Sequence, residues 1–187
     1  MNVGEIVREI KRAGNEQRIV LIAIEGFGGS GKTTFAEKLK KALGNTYIIH
    51  IDDFVIKEKI NDFSPDKTDF DRARLKQQVL APASQNLSVV YQQLKWAENK
   101  LSAPIRIPKS DFLIVEGISS YHPDIAKYYD YKIWVNVPIE LATRRGKLKD
   151  AGNENEKYWD LWARSDLAYQ RKYHPEQRAD FIYSITN

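Results

Sequence analysis

Apolar residues along this chain follow two rhythms, and the switches between them mark the elements. Residues 2–13 place Val3, Ile6, Val7 and Ile10 at helical spacing, with Glu5, Arg8, Glu9 and Lys11 between them. Gly14-Asn15 is the stop signal for that helix. An unbroken apolar run from Ile19 to Ile24 then predicts a buried strand, and Phe35, Leu39 and Leu43 predict a helix closed by Gly44-Asn45. Thr46 to Ile51 reads as a second strand, ending in Asp52-Asp53-Phe54. Ala73, Leu75, Val79 and Leu80 predict a helix capped by Asp69 or Asp71 and ended by Pro82. Residues 87–96 and 101–107 read as two short strands joined through Glu98-Asn99-Lys100. Asp111 to Gly117 and Tyr131 to Val137 are further strands, and Pro138 closes the second of them. Leu141 and Leu148 lie on a helix leading to Ala151-Gly152-Asn153. Tyr158, Trp159, Trp162, Tyr169 and Tyr173 repeat at helical spacing and are read as core packing. Asp180 to Ile185 supplies a last strand. Strands alternating with helices predict an α/β fold, a parallel sheet with helices on both faces.

The turn between the first strand and its helix is the most informative stretch. Gly26-Phe27-Gly28-Gly29-Ser30-Gly31-Lys32-Thr33-Thr34 satisfies G-x-x-x-x-G-K-[ST]. Glycines let the backbone curl with its N–H groups inward, a nest for phosphate oxygens at a helix N-terminus. Lys32 would reach the terminal phosphates and the Thr33 hydroxyl would bind Mg²⁺. Gly26, Gly28 and Gly31 also spell G-x-G-x-x-G, the dinucleotide fingerprint, and Asp52 and Asp53 stand about 20 residues on, where that motif wants an acid. Lys32-Thr33 decides for a P-loop, because a triphosphate with Mg²⁺ needs both side chains and a dinucleotide needs neither.

Carboxylates fall at the ends of two other strands. Ligands bind beyond the carboxyl ends of strands in open α/β sheets. Asp52 or Asp53 is therefore placed to orient an acceptor hydroxyl or help hold Mg²⁺, although from a regular strand only one of the two faces the nucleotide. Glu116, closing the apolar run of residues 111–117, has the form of a carboxylate delivered to Mg²⁺. The hairpin of residues 87–107 is read either as an acceptor-binding flap or as an ordinary edge hairpin. Arg144, Arg145, Lys147 and Lys149 lie on one helix before a glycine-containing loop. They suit a phosphoryl-transfer lid over residues 145–157, with a solvated basic face as the alternative for Lys147 and Lys149.

Composition narrows the field. With 187 residues, one domain over residues 1–187 is expected. Cysteine is absent, and His50, His122 and His174 are scattered, so thiolate chemistry and a Cys or His metal cluster are not expected. The net charge of +4 with interspersed acids fits phosphate handling better than nucleic-acid wrapping. No run suggests a membrane span or a signal peptide, so a cytoplasmic protein without membrane or nucleic-acid partners is expected. Assembly into a homo-oligomer is left open.

Taken together, the P-loop, Asp52-Asp53-Phe54, Phe63 to Asp71, Val115-Glu116-Gly117, Pro175 and Ala179 to Ile182 resemble the uridine kinase, phosphoribulokinase and pantothenate kinase group of P-loop kinases. The resemblance is greatest to uridine kinase-like members. It implies ATP and Mg²⁺ as cofactors, with residues Gly26 to Thr34 and Arg145 on the nucleotide. It implies Asp52 as the catalytic aspartate beside the acceptor hydroxyl, assisted by Lys32, and Thr33, Asp52 and Glu116 around Mg²⁺. Asp53, Phe54, Tyr91, Trp96 and Arg144 would serve the acceptor, a small molecule with a free hydroxyl. Two departures concern substrate choice. Where uridine kinases carry tyrosine-aspartate and then histidine in the hairpin, this chain has Tyr91-Gln92 and Trp96. Their lid arginine-glycine-arginine is here Arg145-Gly146-Lys147. The expected activity is transfer of the ATP γ-phosphate to a nucleoside or similar metabolite. Alternatives are an ATP-binding regulatory or partner-binding protein of the same fold, and an ATPase coupled to motion or to nucleic acid.

Overall fold

The computed structural model describes residues 1–13 and 18–185, so the stop signal at Gly14-Asn15 lies outside the described residues. The chain runs α1 (Val3–Ala13), β1 (Val20–Glu25), α2 (Lys32–Leu43) and β2 (Thr46–His50). After a tight turn over Ile51–Phe54 comes a three-part helix, α3 (Arg72–Leu75), a wide π turn (Lys76–Leu80) and α4 (Ala81–Ser84). Four two-residue strands follow, β3 (Val90–Tyr91), β4 (Leu94–Lys95), β5 (Lys100–Leu101) and β6 (Ile105–Arg106). The chain then returns through β7 (Phe112–Glu116), β8 (Tyr131–Asn136), α5 (Ile139–Lys149), α6 (Trp159–Tyr173), α7 (Pro175–Arg178) and β9 (Phe181–Ser184).

Five of these strands form one parallel sheet in the order β2-β7-β1-β8-β9. Its middle is wholly inside: every residue of β1 and β7 is buried. That requires cover on both faces, and alternate side chains of β1 serve the two covers. Ile22 and Ile24 pack with Ile6, Ile10, Phe35 and Leu39 of α1 and α2. Leu21 and Ala23 pack on the other face with Leu75, Val79 and Leu80 and the small hairpin. Each fully buried Leu or Ile contributes about 2 kcal/mol.

Two sequence expectations change in detail. Pro82 does not end its helix, which continues to Ser84. A proline ring inside a helix runs into the carbonyl four residues back, and the π turn just before it widens the coil at that point. Asp71 is the cap, its carboxylate accepting a 2.9 Å hydrogen bond from the Arg74 N–H. The predicted hairpin is present but broken into two ladders, β3 with β6 and β4 with β5. Lys100 belongs to a strand instead of the turn. The Gln92 side chain fills the break, donating to the Ser102 carbonyl at 2.9 Å.

Glu25 closes β1 directly before the P-loop and is fully buried. One carboxylate oxygen accepts from the Tyr121 N–H at 3.2 Å, while the other has no hydrogen-bond partner. Burial raises its pKa to about 7 against the opposing pull of the Tyr121 N–H, the Tyr169 hydroxyl and Arg178. The folded state thus binds more protons here than the unfolded chain between roughly pH 4.5 and 7. Stability from this residue is complete below that window and lost as pH rises through it, by about 3 kcal/mol for a shift of this size. Glu25→Gln is expected to flatten the fall of stability between pH 5 and 8 and to be the more stable protein at pH 8. Urea denaturation at a series of pH values checks this.

Candidate active site

The P-loop curls because three constraints meet in it. Gly31 takes φ 91° to start α2. Gly29 takes φ 78°, and a Cβ there would stand 2.1 Å from the Ala142 carbonyl of α5, so any side chain would push the loop and helix apart. Phe27 is anchored edge-on against Trp134, and its carbonyl accepts from the Ser30 N–H at 3.0 Å. Lys32 curls back over the loop, its Nζ donating to the same Phe27 carbonyl at 2.9 Å.

Gly28, Gly29, Lys32 and Thr33 open onto a cleft of about 840 Å³, and Asp52 and Glu116 line it too. The register explains the meeting: β2 pairs with β7 so that His50 lies opposite Glu116, and β7 pairs with β1. Asp52 sits in the turn just past β2. The Thr33 hydroxyl donates to Glu116 Oε1 at 3.0 Å, and His50 Nδ1 lies 2.6 Å from the same oxygen. The Glu116 bond raises the His50 pKa. Burial works to raise that of Glu116, but His50, Lys32 and the Thr33 hydroxyl outweigh it and hold it low. Asp52 faces water in the cleft yet sits deep in the molecule; that setting and the Glu116 charge raise its pKa, against Lys32 and His50. The hydroxyl of Thr33 and the carboxylates of Asp52 and Glu116 are hard oxygen donors at one wall, a set that suits Mg²⁺ held jointly with phosphates.

Other predicted site residues lie elsewhere. Asp53 turns away from the cleft, accepting from Gln93 Nε2 at 3.2 Å and lying 3.5 Å from the Tyr91 hydroxyl. Phe54 and Tyr91 are buried, stacked on one another beneath the Arg74 guanidinium. They hold the hairpin to the turn and offer no surface to an acceptor. Arg144 lines an outer groove between α5 and α6, and half-buried Arg145 does not line the cleft. Helical phase accounts for this: Ala142 and Gly146 face the P-loop and Trp159, and the cation in phase with them is Lys149, which does line the cleft. Trp96 also lines it, half-exposed. Among the residues expected to meet the nucleotide, Ser30 is buried and Thr34 is exposed.

The periodicity of α6 conceals a further contribution. Of the aromatics expected in the core, Tyr169 is buried there, but Tyr158, Trp159 and Trp162 form a wall of the cleft. Trp159 Nε1 donates to Asp150 at 2.9 Å, and its ring fills the space where Gly146 lacks a side chain. Trp162 Nε1 donates to the Ile60 carbonyl at 2.9 Å. His50, Lys67 and Asp166 were also unread, since each acts through a partner distant in sequence. Among the described residues no helix is long and apolar enough to cross a membrane.

No protein-family model matches the chain. Solved structures share its fold at low identity. A candidate fructose transport system kinase from Silicibacter sp. TM1040 superposes with a TM-score of 0.73 at 19% identity, over 98% of this chain and 99% of that one. A possible uridine kinase from Bacillus stearothermophilus gives 0.71 at 16% identity, over 97% and 96%. D-Glycerate 3-kinase from Cryptococcus neoformans gives 0.60 at 11%, over 92% and 86%. The chain resembles these uridine kinase-like P-loop kinases across its whole fold, with the parallel sheet, helices on both faces and small antiparallel hairpins expected of them.

Proposed function

We propose that this protein is an ATP-dependent kinase that transfers the γ-phosphoryl group to a hydroxyl of a small molecule. The observation that carries the reading is that Asp52 shares one cleft with Lys32 and Thr33 of the P-loop and with Glu116. The P-loop N–H groups and Lys32 would bind the phosphates, with Lys32 leaving the Phe27 carbonyl to do so. Thr33, Glu116 and Asp52 would hold Mg²⁺, which when bound neutralises charge on the phosphates. Asp52 would orient the acceptor hydroxyl and take its proton as the new O–P bond forms and the bond to the β–γ bridging oxygen breaks.

The far part of the cleft suggests the acceptor. Trp96, Tyr158 and Trp162 offer flat faces, and Lys57, Asn61 and Asp69 offer polar groups around them. A ring-bearing polyol or nucleoside-like molecule fits that mixture. Gln92 and Gln93, which stand near the family's uridine-reading positions, spend their amides inside the hairpin and against Asp53.

Release of ADP from Mg-ATP across a panel of nucleosides, sugars, phosphosugars and pantothenate tests the reading. Asp52→Asn is expected to lower acceptor-dependent turnover by about 10²- to 10⁴-fold while ATP affinity changes little. Equal loss of binding and turnover would remove Asp52 from the proposed role. Stimulation by no acceptor, with ATP bound, would favour the regulatory alternative. Lys32→Ala is expected to weaken ATP binding in titration calorimetry, and unchanged affinity would sink the phosphate assignment. Trp96→Ala is expected to raise the acceptor KM with little change for ATP. A fall in thermal stability without a KM change would instead make the hairpin structural.

A further inference from the structure

Beside the P-loop lies a buried ion pair that the proposed chemistry does not use. Lys67 Nζ donates to Asp166 Oδ1, and both side chains are almost wholly enclosed. The other Asp166 oxygen accepts a 2.9 Å hydrogen bond from the Gly28 N–H of the P-loop. Both residues also line the cleft.

Each partner is held from several sides. Lys67 adopts φ 49°, a conformation that costs energy in any residue but glycine. Its carbonyl accepts from Arg72 Nη1 at 2.6 Å, and its N–H donates to the Ser64 carbonyl at 3.2 Å. Ser64 is tied in turn to Ser165, the neighbour of Asp166, whose hydroxyl accepts from the Ser64 N–H at 3.1 Å. Asp69 lies beside the same lysine, with one carboxylate oxygen unpartnered. The loop that borders the acceptor side of the cleft is thereby fastened to α6 and, through Asp166, to the P-loop.

Stability is a poor reason for such a pair. Enclosing two charges costs desolvation that their attraction often fails to recover, and apolar replacements are commonly as stable. Its location offers a better reason. A carboxylate one hydrogen bond from a phosphate nest fixes the nest's curl but carries the wrong sign for a polyphosphate. The lysine cancels that sign.

We propose that Asp166 and Lys67 are positioning residues for the nucleotide phosphates: Asp166 sets the P-loop by holding the Gly28 N–H, and Lys67 neutralises Asp166. This rests on the kinase reading only for its nucleotide site. The two roles separate by substitution. Lys67→Met leaves an uncompensated carboxylate beside the phosphates. Adding Asp166→Asn removes the charge while its amide oxygen still accepts from Gly28, whereas adding Asp166→Ala removes charge and acceptor together.

The test is titration calorimetry of Mg-ATP binding, with a thermal midpoint for each protein. Lys67→Met is expected to weaken binding roughly 10- to 100-fold. Lys67→Met/Asp166→Asn is expected to return within about threefold of the unaltered protein, and Lys67→Met/Asp166→Ala to stay about tenfold weaker. If Lys67→Met alone does not fold, the comparison of the two double variants, which keep Asp69 alike and differ only at residue 166, carries the test. The proposal is overturned if the Asp166→Ala double variant binds as tightly as the unaltered protein, or if affinity follows the thermal midpoint across the series. Failure of the unaltered protein to bind Mg-ATP is a distinct result, and it would remove the kinase reading along with the proposal.

Discussion

Everything at the site depends on β1 being buried from end to end. A strand enclosed on both faces and on both edges has little use for polar side chains, and β1 carries one only at its last residue, Glu25, as it leaves the sheet. Where it leaves, the backbone must turn sharply into α2, and the N–H groups of that turn and of the first helical residues have no partners within the helix. Neighbouring strands β7 and β2 end at the same level and bring Glu116 and Asp52 alongside. The phosphate nest and the carboxylates thus come from one constraint, the shared carboxyl edge of a parallel sheet.

Packing around the turn is as demanding as the turn itself. Gly29 lies against the Ala142 carbonyl, and Gly146 lies against the Trp159 ring, so α5, α6 and the P-loop meet with no room for a Cβ at either place. This contact makes Trp159 a wall of the cleft and ties the segment after α5 to the nucleotide loop, through its bond to Asp150. The segment expected to act as a lid is therefore in contact with the site, through Lys149, Asp150, Glu154 and Asn155 and not through Arg145.

Charge is balanced locally. Burial and the Glu116 charge raise the pKa of Asp52, while His50, Lys32 and the Thr33 hydroxyl hold that of Glu116 down, so the acidic wall is set against Lys32 of the P-loop and the imidazole of β2. Elsewhere in the same cleft Asp166 is matched by Lys67. Glu25, immediately behind the loop, is the exception: among the described residues it forms no salt bridge, Arg178 acts on it only as a nearby charge, and burial dominates to raise its pKa to about 7.

Much of this was legible in the sequence. A short unbroken apolar run that ends in a glycine-rich turn reads as a strand buried on both sides, and glycines followed by lysine and threonine read as a P-loop turn because each has a separate physical task. Glu116 and Asp52 were readable from their places at strand ends, and Asp71 was one of two legible caps. Other features were not, because sequence spacing gives the face of an element but not what faces it. The aromatics of α6 have the same period whether they meet a core or a cleft, so Trp162 and Tyr169 looked alike until neighbours separated them. Arg144 and Lys149 sit on one basic helix, and only the contacts of Ala142 and Gly146 determine which cation reaches the cleft. His50 with Glu116 and Lys67 with Asp166 are pairs made 66 and 99 residues apart. Local pattern determined the strands, the P-loop and the carboxylates at the sheet edge; strand order and helix phase decided which charges meet, because those distances arise only when the chain has folded.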